Sequence, residues 1–135
     1  MKELTVKASL ANIPVVTEFI DGLLEALDCP MKAQMQIDVA IDELFGNVAH
    51  YAYSGAAGDA TVRFALDEAA RTATITFIDS GVPFNPLEQQ EPDVSLPADE
   101  RQIGGLGIFL VRKTMNSIDY RRENGRNILT IRKKI

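Results

Sequence analysis

The sequence predicts an α+β two-layer sandwich, with a mixed, mainly antiparallel sheet carrying its helices on one face. Two observations lead to it. Apolar residues recur with period two in five short segments and with a helical period in three longer ones. The segments follow the order βααββ, an irregular proline-rich stretch, then αββ.

Each element has a local reason. Leu4, Val6, Ala8 and Leu10 alternate with Glu3, Thr5, Lys7 and Ser9, as in a strand with one buried face and unlike a signal peptide. Asn12 can cap a helix with Pro14 in its first turn, running through Val15, Phe19, Leu23 and Leu24 to about Leu27. Cys29 and Pro30 break it. A longer helix then spans 31–53, with Ile37, Ile41, Leu44, Val48 and Ala52 as its buried stripe. A loop at 54–59 precedes two strands, one with Val62, Phe64 and Leu66 on a face, the other with Ala73, Ile75 and Phe77. Residues 67–71 connect them as a hairpin. Pro83, Pro86, Pro92 and Pro97 then interrupt every periodicity, the mark of a lid, a binding loop or a disordered segment. A third helix starts after paired glycines and runs over 106–116, and strands at 118–123 and 127–132 are turned by Asn124 and Gly125.

With 135 residues, 46% of them hydrophobic and 24% charged, the chain suits one compact domain over 1–135. No apolar run reaches the roughly 18 residues of a membrane span. Cys29 is the only cysteine, which excludes an internal disulfide and fits a reducing, cytoplasmic compartment. The net charge of -5 argues against a nucleic-acid partner. Arg121, Arg122, Arg126, Arg132, Lys133 and Lys134 do gather near the end, as strand edges and tails carry charge for solubility.

Three clusters could carry chemistry. Glu43 and Asn47 lie four apart, one turn above the other, about 120° round from the centre of the apolar stripe. An amide oxygen there could hold Mg2+ and a carboxylate could take a proton, although a solvated helix face can look the same. Gly46, costly inside a helix, invites a packing or ligand reason. Asp79 continues the phase of Ala73, Ile75 and Phe77, so its carboxylate points towards the helix layer and needs a partner. Gly81 beyond it would let a flat ligand approach the backbone, whereas Asp-Ser-Gly is also an ordinary turn. Gly104, Gly105, Leu106 and Gly107 open the third helix, where free amides and the helix dipole suit a phosphate. Neither the Walker nor the dinucleotide spacing is present.

In this order the three clusters resemble the boxes of the Bergerat-fold ATPases, the GHKL superfamily of gyrase, heat-shock chaperones, mismatch-repair ATPases and sensor histidine kinases. The matching residues are Glu43 to Asn47, Asp79 to Phe84 and Gly104 to Ile108, with Asn127 to Ile131 similar to the family's last strand. The short domain and leading strand look most like the bacterial anti-sigma regulatory serine/threonine kinases. That resemblance implies ATP and Mg2+ as cofactors. Asn47 would be the metal ligand and Glu43 the general base on a protein serine. Asp79 would bind the adenine amino group, with Thr130 supporting it. Gly81 would make room for the base, the amides of Gly105, Leu106 and Gly107 would hold phosphate oxygens, and 82–103 would be an ATP lid. Sporulation-type kinases carry an arginine directly before the glycine box. Here Ile103 stands in that place, and Arg101, two residues earlier, is the candidate substitute. His50 reads as a packing or hydrogen-bonding residue.

The expected activity is phosphorylation of a serine on a small antagonist protein, with a switch of partners that could include a sigma factor. A non-catalytic ATP-dependent module that sequesters such a partner is the alternative that Ile103 favours. An ATPase, or a detached histidine-kinase-like catalytic domain, is the third reading. The one-sided first strand offers a sheet edge for a possible homodimer.

Overall fold

A computed structural model describes residues 1–88 and 105–135. Its elements are β1 (Lys2–Lys7), a 3-10 turn (Leu10–Asn12), α1 (Ile13–Ala26), α2 (Met31–Asn47), a π-helical turn (Val48–Ala52), β2 (Asp59–Asp67), β3 (Thr72–Asp79), a 3-10 turn (Pro86–Glu88), α3 (Gly105–Thr114), β4 (Ser117–Glu123) and β5 (Arg126–Lys134). The strands form one open sheet in the order β1-β2-β3-β5-β4. Every pairing among the described residues is antiparallel.

The sheet's period of two separates its faces. Val62 and Phe64, Ile75 and Phe77, and Leu129 and Ile131 meet the helices. Across that interface stand Val16, Ile20 and Leu24 of α1, Ile37, Ile41, Leu44 and Phe45 of α2, and Ile108 and Val111 of α3. The opposite phase, with Thr74, Thr76, Ile78, Ile128 and Thr130, lines shallow hollows on a face that carries no described helix.

Local departures from the expected elements have physical causes. β1 stops at Lys7 because Ser9 Oγ accepts the Ala11 N–H at 3.1 Å and starts a 3-10 turn, which leaves Leu10 50% exposed. Asn12 stands at the start of α1, yet its amide donates back to the Lys7 carbonyl at 2.9 Å and caps no helix N–H. The inner row of α1 is Val16, Ile20 and Leu24, while Val15 is exposed. Apolar residues fill both neighbouring rows of this helix, so periodicity alone does not choose between them. The second helix does not run evenly to Tyr53: after Asn47 its backbone widens into the π turn. The β4–β5 hairpin has the expected Asn-Gly turn, with Asn124 at φ 53° and Gly125 at φ 76°.

Candidate functional site

β3 ends on Asp79, which is 5% exposed and sits on the helix-facing phase. Its Oδ1 accepts the Gly81 N–H at 2.9 Å and the Asn127 amide at 2.9 Å. Asn127 is the register partner of Asp79 across β3 and β5. The same Asn127 amide donates to the Val82 carbonyl at 2.8 Å, while its Oδ1 accepts the Phe84 N–H at 3.2 Å and the Tyr120 hydroxyl. Among the described residues no hydrogen bond reaches the other carboxylate oxygen, Oδ2, which can accept one.

The turn after β3 is fastened on its other side. Val82 N–H donates to the Ala52 carbonyl at 2.7 Å, and the Arg122 guanidinium donates to the Gly81 carbonyl at 2.8 Å. Tyr53 Oη accepts the Ser80 N–H at 2.9 Å and donates to the Asp59 carbonyl at 2.6 Å. A Cβ on Gly81 would lie 2.0 Å from the Ala52 oxygen. Glycine is therefore needed for the chain's own close approach at this point.

Beside Asp79 lies a narrow cavity lined by Leu44, Val48, Phe77 and Leu129 and closed by Phe84 and Pro86. Its free volume is about 20 Å³, room for one water. A cavity of this volume is too small for a planar ring. Phe84 stacks on the half-exposed Tyr51, with ring centroids 4.8 Å apart, so the closing group rests on a partner at the surface.

The second part of the site joins α2 to α3. A Cβ on Gly107 would lie 2.1 Å from Glu43 Oε2, so the Glu43 carboxylate packs directly on the first turn of α3. Burial first, and then the charge of Asp42, push the Glu43 carboxyl above its ordinary range. The neighbouring Asn47 amide opposes that shift. No hydrogen bond of good geometry links the two, and Asn47 Nδ2 is buried without a partner among the described residues. An unpartnered buried amide is costly unless a ligand completes it. Amide orientation is set by the surrounding network, so a turned Asn47 would offer its oxygen at the same point. The described residues hold no group of three or more His, Cys, Asp or Glu that could bind a metal alone. Mg2+ keeps several waters and is held through few protein oxygens together with ligand phosphates, so a single amide oxygen from Asn47 could serve as the protein ligand.

Glu43, Asn47 and Gly107 therefore converge at one end, and Asp79 and Gly81 at the other, with Asn47 lining the cavity that joins them. Thr130 is a correction. It pairs with Thr76 on the helix-free face and does not reach Asp79, because Asn127, Leu129 and Ile131 hold the inward phase of β5. Asn127 does the supporting in its place. His50 is exposed, tilted against Tyr51 with centroids 5.9 Å apart. Gly46 is buried, yet no described atom lies within 4 Å of where its Cβ would be, so no packing contact demands it. Gly105 and Leu106 begin α3. Gly104, Arg101, Ile103 and the lid from residue 89 onward lie outside the described residues. Asn127 was readable in principle, as a polar residue two before Leu129 and four before Ile131 on the inward phase of β5. Tyr120, Tyr53 and the Tyr51–Phe84 stack had no comparable signal.

Residues 6–133 match the family described as Histidine kinase-like ATPase domain. The chain is 25% identical over 100 residues to the Serine/threonine-protein kinase BtrW of Bordetella bronchiseptica, covering 74% of this chain and 70% of that one. It is 23% identical over 131 residues to the Serine-protein kinase RsbW of Bacillus mycoides, covering 94% and 81% respectively. Among solved structures, the histidine kinase domain of the Erythrobacter litoralis EL346 blue-light activated histidine kinase superposes with a TM-score of 0.55 at 17% identity. That match covers 78% of this chain and 46% of the other, so the chain spans less than half of that solved structure and the likeness is one of fold.

Proposed function

The chain belongs to the histidine kinase-like ATPase domain family, and from that premise we propose that it is an ATP-dependent serine/threonine protein kinase of the anti-sigma regulatory type. The observation that carries the reading is the Glu43 carboxylate, half-buried, raised in pKa and seated on the first turn of α3. A base poised above the ordinary carboxylate range is suited to take a proton from a hydroxyl. The names of BtrW and RsbW support the same activity.

In this reading Asp79 accepts the adenine amino group through its spare oxygen, while Asn127 and the Gly81 amide hold it in place. The first-turn amides of α3 receive phosphate oxygens at the positive end of the helix. Asn47 would be the protein ligand of a Mg2+ ion, which would supply charge neutralisation there. The acceptor serine oxygen bonds to the terminal phosphorus, its proton passes to Glu43, and the bond to the leaving ADP oxygen breaks. Arg101 is the residue proposed to meet the developing charge. The acceptor is a small antagonist protein, a sigma factor is the proposed second partner, and the cytoplasm the proposed location. No helix among the described residues is long and apolar enough to cross a membrane.

Ile103, where sporulation-type kinases have arginine, favours a second reading: an ATP-dependent module that sequesters a partner without phosphorylating it. One experiment separates them. The protein is incubated with Mg2+ and ATP labelled in its terminal phosphate, together with an extract of its host, and any labelled protein is identified by mass spectrometry. The kinase reading expects label on a protein serine. It also expects a loss of about 10²–10⁴-fold in Glu43→Ala, with ATP binding retained. Undiminished transfer in that variant removes Glu43 as the base, and nucleotide binding without any transfer leaves the sequestering module.

A further inference from the structure

Outside the nucleotide site, the longest unexplained feature is an apolar groove on the outer surface between α2 and α3. Met31, Met35 and Val39 line it from α2, 68%, 60% and 51% exposed, and Leu110, 43% exposed, lines it with Thr114 from α3. Its volume is about 540 Å³. Exposed side chains of this kind, gathered in one groove, mark an interaction surface more often than isolated ones do.

The groove has a direction. Met31, Met35, Val39 and Glu43 are spaced four apart, so they form one row along α2. Thr114 stands at the Met31 end and Gly107 meets Glu43, so α3 runs antiparallel to α2 beside that row. Followed from Met31, the apolar row leads after Val39 to the carboxylate proposed as the base. From Met31 to Glu43 is about 18 Å at the rise of an α-helix, three turns or so. The charges lie in order too. Among the described residues lining the groove Lys32 is the only charged one, while Asp42 and Glu43 stand at the other end of α2. On a chain of net charge -5, that cationic end is where an acidic segment can approach.

We propose that this groove docks the phosphate-accepting protein, receiving the apolar face of one of its helices with acidic residues towards Lys32 and the acceptor serine towards Glu43. The proposal rests on the kinase reading and adds the surface by which the acceptor is recognised. Helix-in-groove recognition lays the apolar face of a partner's helix along such a row. Docking remote from the reacting atoms raises the local concentration of the serine without altering nucleotide binding.

The test uses the acceptor protein identified by the labelling experiment above, with Met35→Glu and Val39→Glu. Both side chains are more than half exposed, so the variants should fold, and unchanged melting and ATP affinity check that. The expected result is a fall of about tenfold or more in kcat/KM for the acceptor, carried by KM, with kcat nearly unchanged. In the wild type, saturating acceptor should also slow oxidation of Met31 and Met35 by dilute peroxide. Transfer kinetics unchanged in both variants overturn the groove proposal and leave the kinase reading intact. Slow methionine oxidation in the isolated protein overturns it too: a shift in sedimentation of the variants then identifies a second copy in the groove, and none identifies this chain's own residues. A wild type that binds Mg-ATP and labels no protein overturns both readings together.

Discussion

The two ends of the site are built on opposite terms. Around Asp79 the described polar groups are paired except for the carboxylate's second oxygen: Gly81, Val82, Phe84, Tyr120 and Asn127 close one network on the edge of the core. Around Glu43 the terms are unbalanced, with a carboxylate raised in pKa by burial and the Asn47 amide left without a partner. A satisfied network holds a geometry fixed before any ligand arrives, whereas an unsatisfied pair stores cost that a ligand relieves. The difference teaches which end is scaffold and which is chemistry.

Paired substitutions break or sharpen that contrast. Asn127→Ala strips Asp79, Val82 and Phe84 of partners and should cost about 1–3 kcal/mol of stability, as well as weakening ATP binding. Asn47→Ala removes an amide that has no partner to lose, so melting should move by less than about 0.5 kcal/mol while Mg-dependent ATP affinity falls. Thermal melts and calorimetry on the two variants check this, and equal destabilisation by both would erase the distinction.

Gly107→Ala sharpens the chemical end. Its new methyl must displace the Glu43 carboxylate, the movable end of a flexible side chain. Alanine also favours a helix by up to about 1 kcal/mol over glycine. Transfer should therefore fall about tenfold with melting unchanged or slightly raised. Because Glu43 must be ionised to act, wild-type transfer should be lost as pH falls, at a pH above that of an ordinary carboxylate. A profile flat through the weakly acidic range would contradict the base.

The smallest effect lies away from the site. Asp38 on α2 is pushed up to about 7 by burial, by its hydrogen bond with Asp21 of α1, and by the charges of Asp21 and Glu25. A carboxyl raised in the folded state adds stability while protonated and loses it as pH rises through about 7. Asp38→Asn should therefore gain on the wild type between pH 5 and pH 8, by about 1 kcal/mol once solvent screening is allowed for. Melting curves at the two pH values measure the gain, and a constant difference would remove the pairing.

Much of this plan was legible in the chain. Period-two phases placed Asp79 on the inward face, and the order of the boxes brought Glu43 and Asn47 together with Gly107. The rest depends on contacts distant in sequence. Gly81 is glycine because of the Ala52 carbonyl, and nothing near either residue announces the approach. Asn127 meets Asp79 only through the β3–β5 register. Thr130 was assigned to the site by family resemblance, against the alternation of its own strand: with Leu129 and Ile131 inward, it had to face outward.

The most direct test of the account is calorimetric titration of the wild type and Asp79→Asn with ATP, with and without Mg2+. The account predicts wild-type binding that depends on Mg2+ and is lost in Asp79→Asn. Binding unaffected by that substitution, or none by the wild type, would contradict it.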